Sequence, residues 1–170
     1  KIQHIVSLSG GLGSWKAAKR VAERHGIDDT IMLFANVQME DEDTYRFIAE
    51  STPIVGGEFV EIADGRDPWQ VFIDERILTS RFDPCSRILK RELLDRWVKE
   101  RYGPDECVRY IGIGWAEVNR LEEAIPRFAP YKVEAPLCEP PFVNNADIVA
   151  ELATFGILPP RLYAMGFAHG

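Results

Sequence analysis

Apolar positions fall into two rhythms along the chain. Ile5, Val6 and Leu8 form a short β-branched run that enters a glycine loop; beyond it Trp15, Ala18, Ala22 and His25 recur at helical spacing. Asp28-Asp29 marks a turn, and Thr30 to Asn36 (TIMLFAN) is an apolar run of strand length. Asp43 is placed to cap a helix carrying Tyr45, Phe47, Ile48 and Ala49. Gly56-Gly57 turns the chain into Glu58 to Ile62, which alternates as a third strand. Pro68 opens a helix with Trp69, Val71, Phe72, Ile73 and Ile77 on its apolar side. Pro84 to Tyr102 has the helical period, with Ile88, Leu89, Leu93, Leu94, Trp97 and Val98 apolar, and Gly103-Pro104 ends it. Val108 to Ile113 predicts a fourth strand, leading through Gly114 into an acidic-headed helix from Glu117. Val133 to Leu137 predicts a short fifth strand, and Asp147 to Phe155 a last helix before Pro159-Pro160.

Strands alternating with helices predict an α/β fold: a mostly parallel, twisted sheet with helices on both faces, a three-layer α/β/α arrangement. Ligands of such sheets sit beyond the carboxyl ends of the strands, near the point where strand order reverses. That edge would gather Gly10 to Ser14, Asn36 and Gly112 to Glu117.

Composition narrows the class. The 170 residues, with 46% apolar and 28% charged side chains, predict one folded domain over 1–170 rather than a disordered chain. A net charge of −7 disfavours nucleic acid as a partner through bulk charge, although a local basic patch escapes that argument. No apolar run reaches the roughly 18 residues of a spanning helix, so no membrane partner is expected. Three widely spaced cysteines, Cys85, Cys107 and Cys138, predict a reducing, cytoplasmic setting rather than a disulfide framework. No internal repeat or low-complexity tract interrupts the chain, and a homodimer is compatible with all of this.

The loop Ser9-Gly10-Gly11-Leu12-Gly13-Ser14 carries the chemistry. Strand, glycine loop and helix point backbone N–H groups and a positive helix end at an anion. The loop is not a Walker A, because no Gly-Lys-Ser/Thr closes it, nor a dinucleotide fingerprint, because the third glycine is absent. A nucleophile elbow around Ser9 fails on Ser7, where that motif needs glycine.

The loop closely resembles the PP-loop of the adenine nucleotide α-hydrolase-like superfamily. Other segments resemble its phosphoadenosine phosphosulfate (PAPS) reductase-like branch. These are LFANVQMEDEDTYRF with Phe34 and Asn36, Cys85 with Lys90 five residues on, Gly112-Ile113 with Glu117 and Arg120, and Pro136-Leu137 through Leu162, Tyr163, Gly166, Phe167 and His169. The resemblance implies an adenine nucleotide, ATP or PAPS, as ligand, with Mg²⁺ as a candidate companion. Ser9, Gly10, Gly11, Leu12, Gly13 and Ser14 would hold phosphate or sulfate. Phe34, Asn36, Gly112 and Gly114 would lie along the base, with Arg87, Glu117 and His169 completing the binding set. Lys90, Arg120 and Cys85 are the catalytic candidates. Related chains often continue past the Gly-Phe-x-His segment into a cysteine-bearing stretch. The resemblance leaves open whether a tail follows Gly170, and implies an Fe–S cluster only if such a tail supplies cysteines. No metal ligands are assigned.

Several positions depart from the pattern. Gly13 stands where ATP-cleaving members commonly carry an aspartate, Asn36 replaces an acid after the second strand, and Gly114 replaces an arginine common in sulfonucleotide reductases. The implied activity is cleavage or transfer at the nucleotide α-phosphate or at a sulfonucleotide. Its alternatives are an adenylating enzyme that prepares a base or carboxylate for thiolation or amidation, and a nucleotide-binding module without turnover.

The residues themselves supply independent support. From Arg76 to Arg101 eight cations (Arg76, Arg81, Arg87, Lys90, Arg91, Arg96, Lys99, Arg101) face four acids in an otherwise acidic protein, an island that would draw a phosphate. Arg87 and Lys90 share a helix face, Arg as a bidentate fork and Lys as a point charge. Arg91, Arg96, Lys99 and Arg101 are more simply a solvated face. Glu117 and Arg120 are spaced for either a local ion pair or phosphate binding. Cys85, near a helix start beside Arg87, has the setting of a stabilised thiolate, whereas Cys107 and Cys138 read as small packing residues. His4 and His25 read as structural or surface positions.

Overall fold

The computed structural model describes residues 1–37, 41–63 and 82–164, the side chains of 82–87, 162 and 164 excepted. Its strands are β1 (Gln3–Leu8), β2 (Thr30–Ala35), β3 (Glu58–Ile62), β4 (Cys107–Tyr110) and β5 (Lys132–Glu134). They form one sheet in the order β3-β2-β1-β4-β5, and all four pairings are parallel. The order reverses between β1 and β4, where Val6 pairs with Tyr110. The crevice beyond these two strand ends is the place such a sheet offers a ligand.

Side chains alternate across the sheet and so build two cores. Val6, Leu8, Met32, Phe34 and Tyr110 point to one face. There they pack against α1 (Leu12–His25), α2 (Glu42–Val55) and α5 (Asn145–Thr154) through Trp15, Ala18, Phe47, Ile48, Ile148 and Leu152. Ile5, Ile31, Leu33 and Cys107 point to the other face and meet Val98 of α3 (Phe82–Arg101), while Val133 meets Ala124 and Phe128 of α4 (Val118–Phe128). All six residues of β2 are buried, as expected of a strand covered on both faces. Complete burial of each large apolar side chain in these layers contributes about 1.5–3 kcal/mol.

Element existence follows the sequence pattern; several boundaries do not. The cap of α2 is Asp41, not Asp43: Asp41 has extended backbone and its carboxylate accepts from the Asp43 N–H at 2.8 Å, so the helix starts earlier. The Asp43 carboxylate instead holds Arg46 at 2.9 Å. The fourth strand ends at Tyr110, short of Ile113, and the fifth spans Lys132–Glu134, because Pro136–Cys138 closes into a 3₁₀ turn. A second 3₁₀ turn, Trp115–Glu117, precedes α4, which begins at Val118. The helix expected from Asp147 starts at Asn145 instead, where Asn144 and Asp147 form a reciprocal capping box. The helix expected after Pro68 lies outside the described residues. A short helix α6 (Arg161–Ala164) ends the described chain, and among the described residues no helix is long and apolar enough to cross a membrane.

Candidate nucleotide-phosphate site

β1 leaves the sheet at Leu8, and α1 begins four residues later at Leu12 with Gly11 as its cap. The cap residue Gly11 supplies no side-chain hydrogen bond, and no acid occupies the first turn, so no local side chain neutralises the positive end of the helix. Gly10 has φ +86°, and a Cβ there would lie 2.4 Å from Thr44 Cγ2 of α2. Glycine is therefore required on both conformational and packing grounds.

Hydroxyls tie the turn together. Ser14 Oγ accepts from the Ser9 N–H at 3.1 Å and donates to the Gly11 carbonyl at 3.3 Å. Ser9 Oγ lies 3.2 Å from Ser14 Oγ and accepts from the Gly11 N–H at 3.3 Å. Ser14 is buried and Ser9 exposed, so Ser14 fixes the loop from within while Ser9 is open to solvent.

The second wall comes from the segment after β4. A Cβ on Gly13 would lie 2.4 Å from the Gly112 carbonyl oxygen, and a Cβ on Gly112 would lie 2.5 Å from both Ser14 N and Ser14 Cα. The two loops thus touch backbone to backbone. Gly114 is different: a Cβ there would meet nothing within 4 Å. Cys138, which sequence reasoning treated as packing only, sits at this turn and donates to the carbonyls of Ile113 and Gly114, each at 3.5 Å. Burial, followed by the Glu139 and Glu117 carboxylates, pushes its thiol pKa up, so it is held as the neutral thiol.

Asn36, one residue past β2, accepts at Oδ1 from the Tyr45 hydroxyl at 2.8 Å, and Tyr45 stands edge-on to the buried Phe34. Leu89 of α3 packs with Ala35 and Val37, which places the half-buried Lys90 turn by the carboxyl end of β2. Glu117 and Arg120 form an ion pair of 2.7 Å, with Arg120 56% exposed, at the start of α4. Arg91, Arg96, Lys99 and Arg101 are exposed. The side chains of Cys85 and Arg87, and the whole of His169, lie outside the described residues.

Tyr163, one of the positions quoted for the resemblance, completes the loop through a contact that its spacing alone does not signal. The Tyr163 hydroxyl accepts from the Leu12 N–H at 3.4 Å and lies 3.0 Å from where a Gly11 Cβ would be. Its partners are 151 residues away in the chain.

Among the described residues no group of three or more His, Cys, Asp or Glu is gathered to hold a metal. Cys107 is buried at the opposite end of β4 from Cys138's neighbours, with its thiol pKa pushed up by burial. The described donors do not fit an iron–sulfur cluster.

No protein-family model and no curated protein matches the chain. Solved structures do. A PAPS reductase from Candida auris, in complex with phosphate, is similar over 100% of this chain and 81% of its own, with a TM-score of 0.66 and 13% identity. A U34-tRNA thiolase from Methanococcus maripaludis with its [4Fe-4S] cluster is similar over 100% of this chain, with a TM-score of 0.59 and 17% identity. This chain spans 59% of that thiolase's length. The five parallel strands, their flanking helices and these likenesses agree: the chain has a PP-loop, PAPS reductase-like fold.

Proposed function

We propose that the chain binds an adenine nucleotide by its phosphates on the Gly10–Ser14 loop and acts at the nucleotide α-phosphate or on a sulfonucleotide. The observation that carries this reading is the backbone seam between Gly13 and Gly112, at the point where strand order reverses. It sets the glycine-capped start of α1 in the crevice where an α/β sheet takes ligands. A PAPS reductase of similar fold was solved as a phosphate complex, in keeping with an anion ligand for this fold.

In this reading the N–H groups of Leu12, Gly13 and Ser14 and the Ser9 hydroxyl hold phosphate or sulfate oxygens. The adenine lies along the main chain near Phe34 and Asn36 and the Gly112 to Gly114 turn. Lys90, Arg87 and Arg120 neutralise the remaining charge, Arg120 by exchanging its exposed Glu117 partner for the anion. Such fixed cations are what stabilise charge developing at phosphorus or sulfur. Cys85 stays a candidate for the chemical step, and His169 for nucleotide binding, by their sequence positions alone. A cytoplasmic enzyme is the setting this chemistry suits.

The likeness to the thiolase favours a second reading, in which ATP adenylates a base or carboxylate before sulfur or amine transfer. The Gly13 seam favours a third, binding without turnover, because an acidic side chain has no room at that position.

Titration calorimetry with ATP and with PAPS tests the binding. Release of AMP and pyrophosphate from ATP identifies the adenylating reading, and sulfite from PAPS with a thiol reductant the reductase reading. Absence of binding to either nucleotide sinks the proposal.

A further inference from the structure

Tyr163 reaches the loop because the segment before it is clamped to α2. Arg46 donates to the carbonyls of Leu158 at 2.8 Å and Pro159 at 3.0 Å. The Arg161 backbone N–H donates to Asp43 Oδ2 at 2.6 Å, and its guanidinium to Asp41 Oδ2 at 2.8 Å. The Tyr163 N–H then returns to the Pro160 carbonyl at 3.0 Å. Asp41 is also the cap of α2, so the strap and the start of that helix form one unit. The tyrosine packs on the core beneath α1 and ends with its hydroxyl on the Leu12 N–H, above a glycine whose missing Cβ leaves it room.

The Leu12 N–H is one of the donors that the helix cannot satisfy internally, and it is the kind of group an anion would take. A phosphate oxygen at hydrogen-bond distance from it cannot share that place with the tyrosine oxygen. The contest is unequal. A neutral hydroxyl at 3.4 Å is beyond the usual range of such bonds. A charged oxygen makes a bond roughly twice as strong and is favoured by the helix end.

Resting on the nucleotide reading above, we propose that Tyr163 is a residue of the anion site and acts there as the anion's competitor. Its hydroxyl covers the Leu12 N–H in the free protein. An incoming phosphate or sulfate displaces it and loosens the 158–163 strap. Coupling of this kind is reciprocal, so a docked strap lowers the affinity for the anion, and the Asp41 and Asp43 contacts to Arg161 set how much.

The experiment compares ATP binding by calorimetry in the wild-type chain, Tyr163→Phe and Arg161→Ala, each first shown to melt cooperatively. Removing the hydroxyl, or unclamping the strap that presents it, tightens ATP binding by roughly threefold, the worth of one modest hydrogen bond. Saturating ATP also speeds tryptic cleavage after Arg161 in the wild-type chain. Binding that is unchanged or weaker in Tyr163→Phe overturns the competitor role and leaves the nucleotide reading standing. Protection of Arg161 by ATP does the same. Failure of all three proteins to bind either ATP or PAPS overturns the nucleotide reading, and this inference with it.

Discussion

At the scale of single residues, Gly13 decides the most. It stands where the PP-loop pattern that the sequence resembles commonly has an acid, and the fold gives a steric reason for glycine here, since the first atom of any side chain would sit 2.4 Å from the Gly112 oxygen. Gly13 and Gly112 are a matched pair. Gly13→Ala forces the seam apart and should cost about 1–3 kcal/mol, read as a lower urea midpoint. Gly13→Asp should lose stability without gaining ATP cleavage in Mg²⁺, and a variant that is stable and cleaves ATP faster sinks this account. Lys90 carries a second expectation. It is half-buried beside the end of β2, and Lys90→Ala should weaken ATP binding roughly tenfold while leaving the melting temperature near that of the wild type, the loss of a charge-assisted contact. Equal affinities by calorimetry would remove Lys90 from the site. Both residues stand out in the sequence, but the reason Gly13 must be glycine does not. It depends on a backbone oxygen 99 positions away along the chain, brought near by the β1–β4 pairing.

At the scale of elements, periodicity was enough wherever an element repeats: the buried β2 run, the Trp15-Ala18-Ala22 face of α1, and Phe47 and Ile48 on α2 all lie as their spacing predicts. Ends were less legible, because two acids two residues apart, Asp41 and Asp43, offer equally good caps and the clamp with Arg161 distributes their roles. Arg109 is a case the pattern conceals. It is a charged residue inside β4, and it is 3% exposed. Asp95 of α3 pairs with it at 2.6 Å, and its guanidinium lies 4.3 Å from the centre of the Phe128 ring of α4. One strand cation thereby links the two helices that cover this face. Asp95→Ala strands a buried charge and should cost about 2–3 kcal/mol, below the usual 3–5 because the aspartate is 32% exposed. Adding Arg109→Met to that variant should recover much of the loss. A double variant no more stable than Asp95→Ala, in urea titrations, means that Arg109 is held by something other than this pair.

At the scale of the whole molecule, the two ends of the sheet have different tasks. The carboxyl ends of the strands carry the Gly10–Ser14 loop, while toward the amino end of β1 His4 packs with His25 and the side chain of Tyr110, whose backbone ends β4. His4 Nδ1 lies 2.7 Å from the Tyr110 hydroxyl, and the two imidazoles stack with centroids 3.7 Å apart. Burial, and then the neighbouring His25, hold the His4 pKa below its ordinary value of 6.5, an effect the Asp29 carboxylate opposes. In the unfolded chain His4 takes up a proton as pH falls through that value, whereas in the fold it stays neutral until lower pH. The unfolded state then binds more protons, so stability is complete above pH 6.5 and declines as pH falls below it. Other linked groups act in a separate window. Asp41 and Asp43, held below their usual 3.8 chiefly by hydrogen bonds from Arg161 and Arg46 respectively, lose their contribution only in stronger acid. Melting temperatures measured from pH 7.5 to 5 should therefore fall for the wild-type chain and fall less steeply for His4→Gln, with the two curves converging toward the acid end. Parallel curves would show that His4 does not govern this range and that the decline comes from another group.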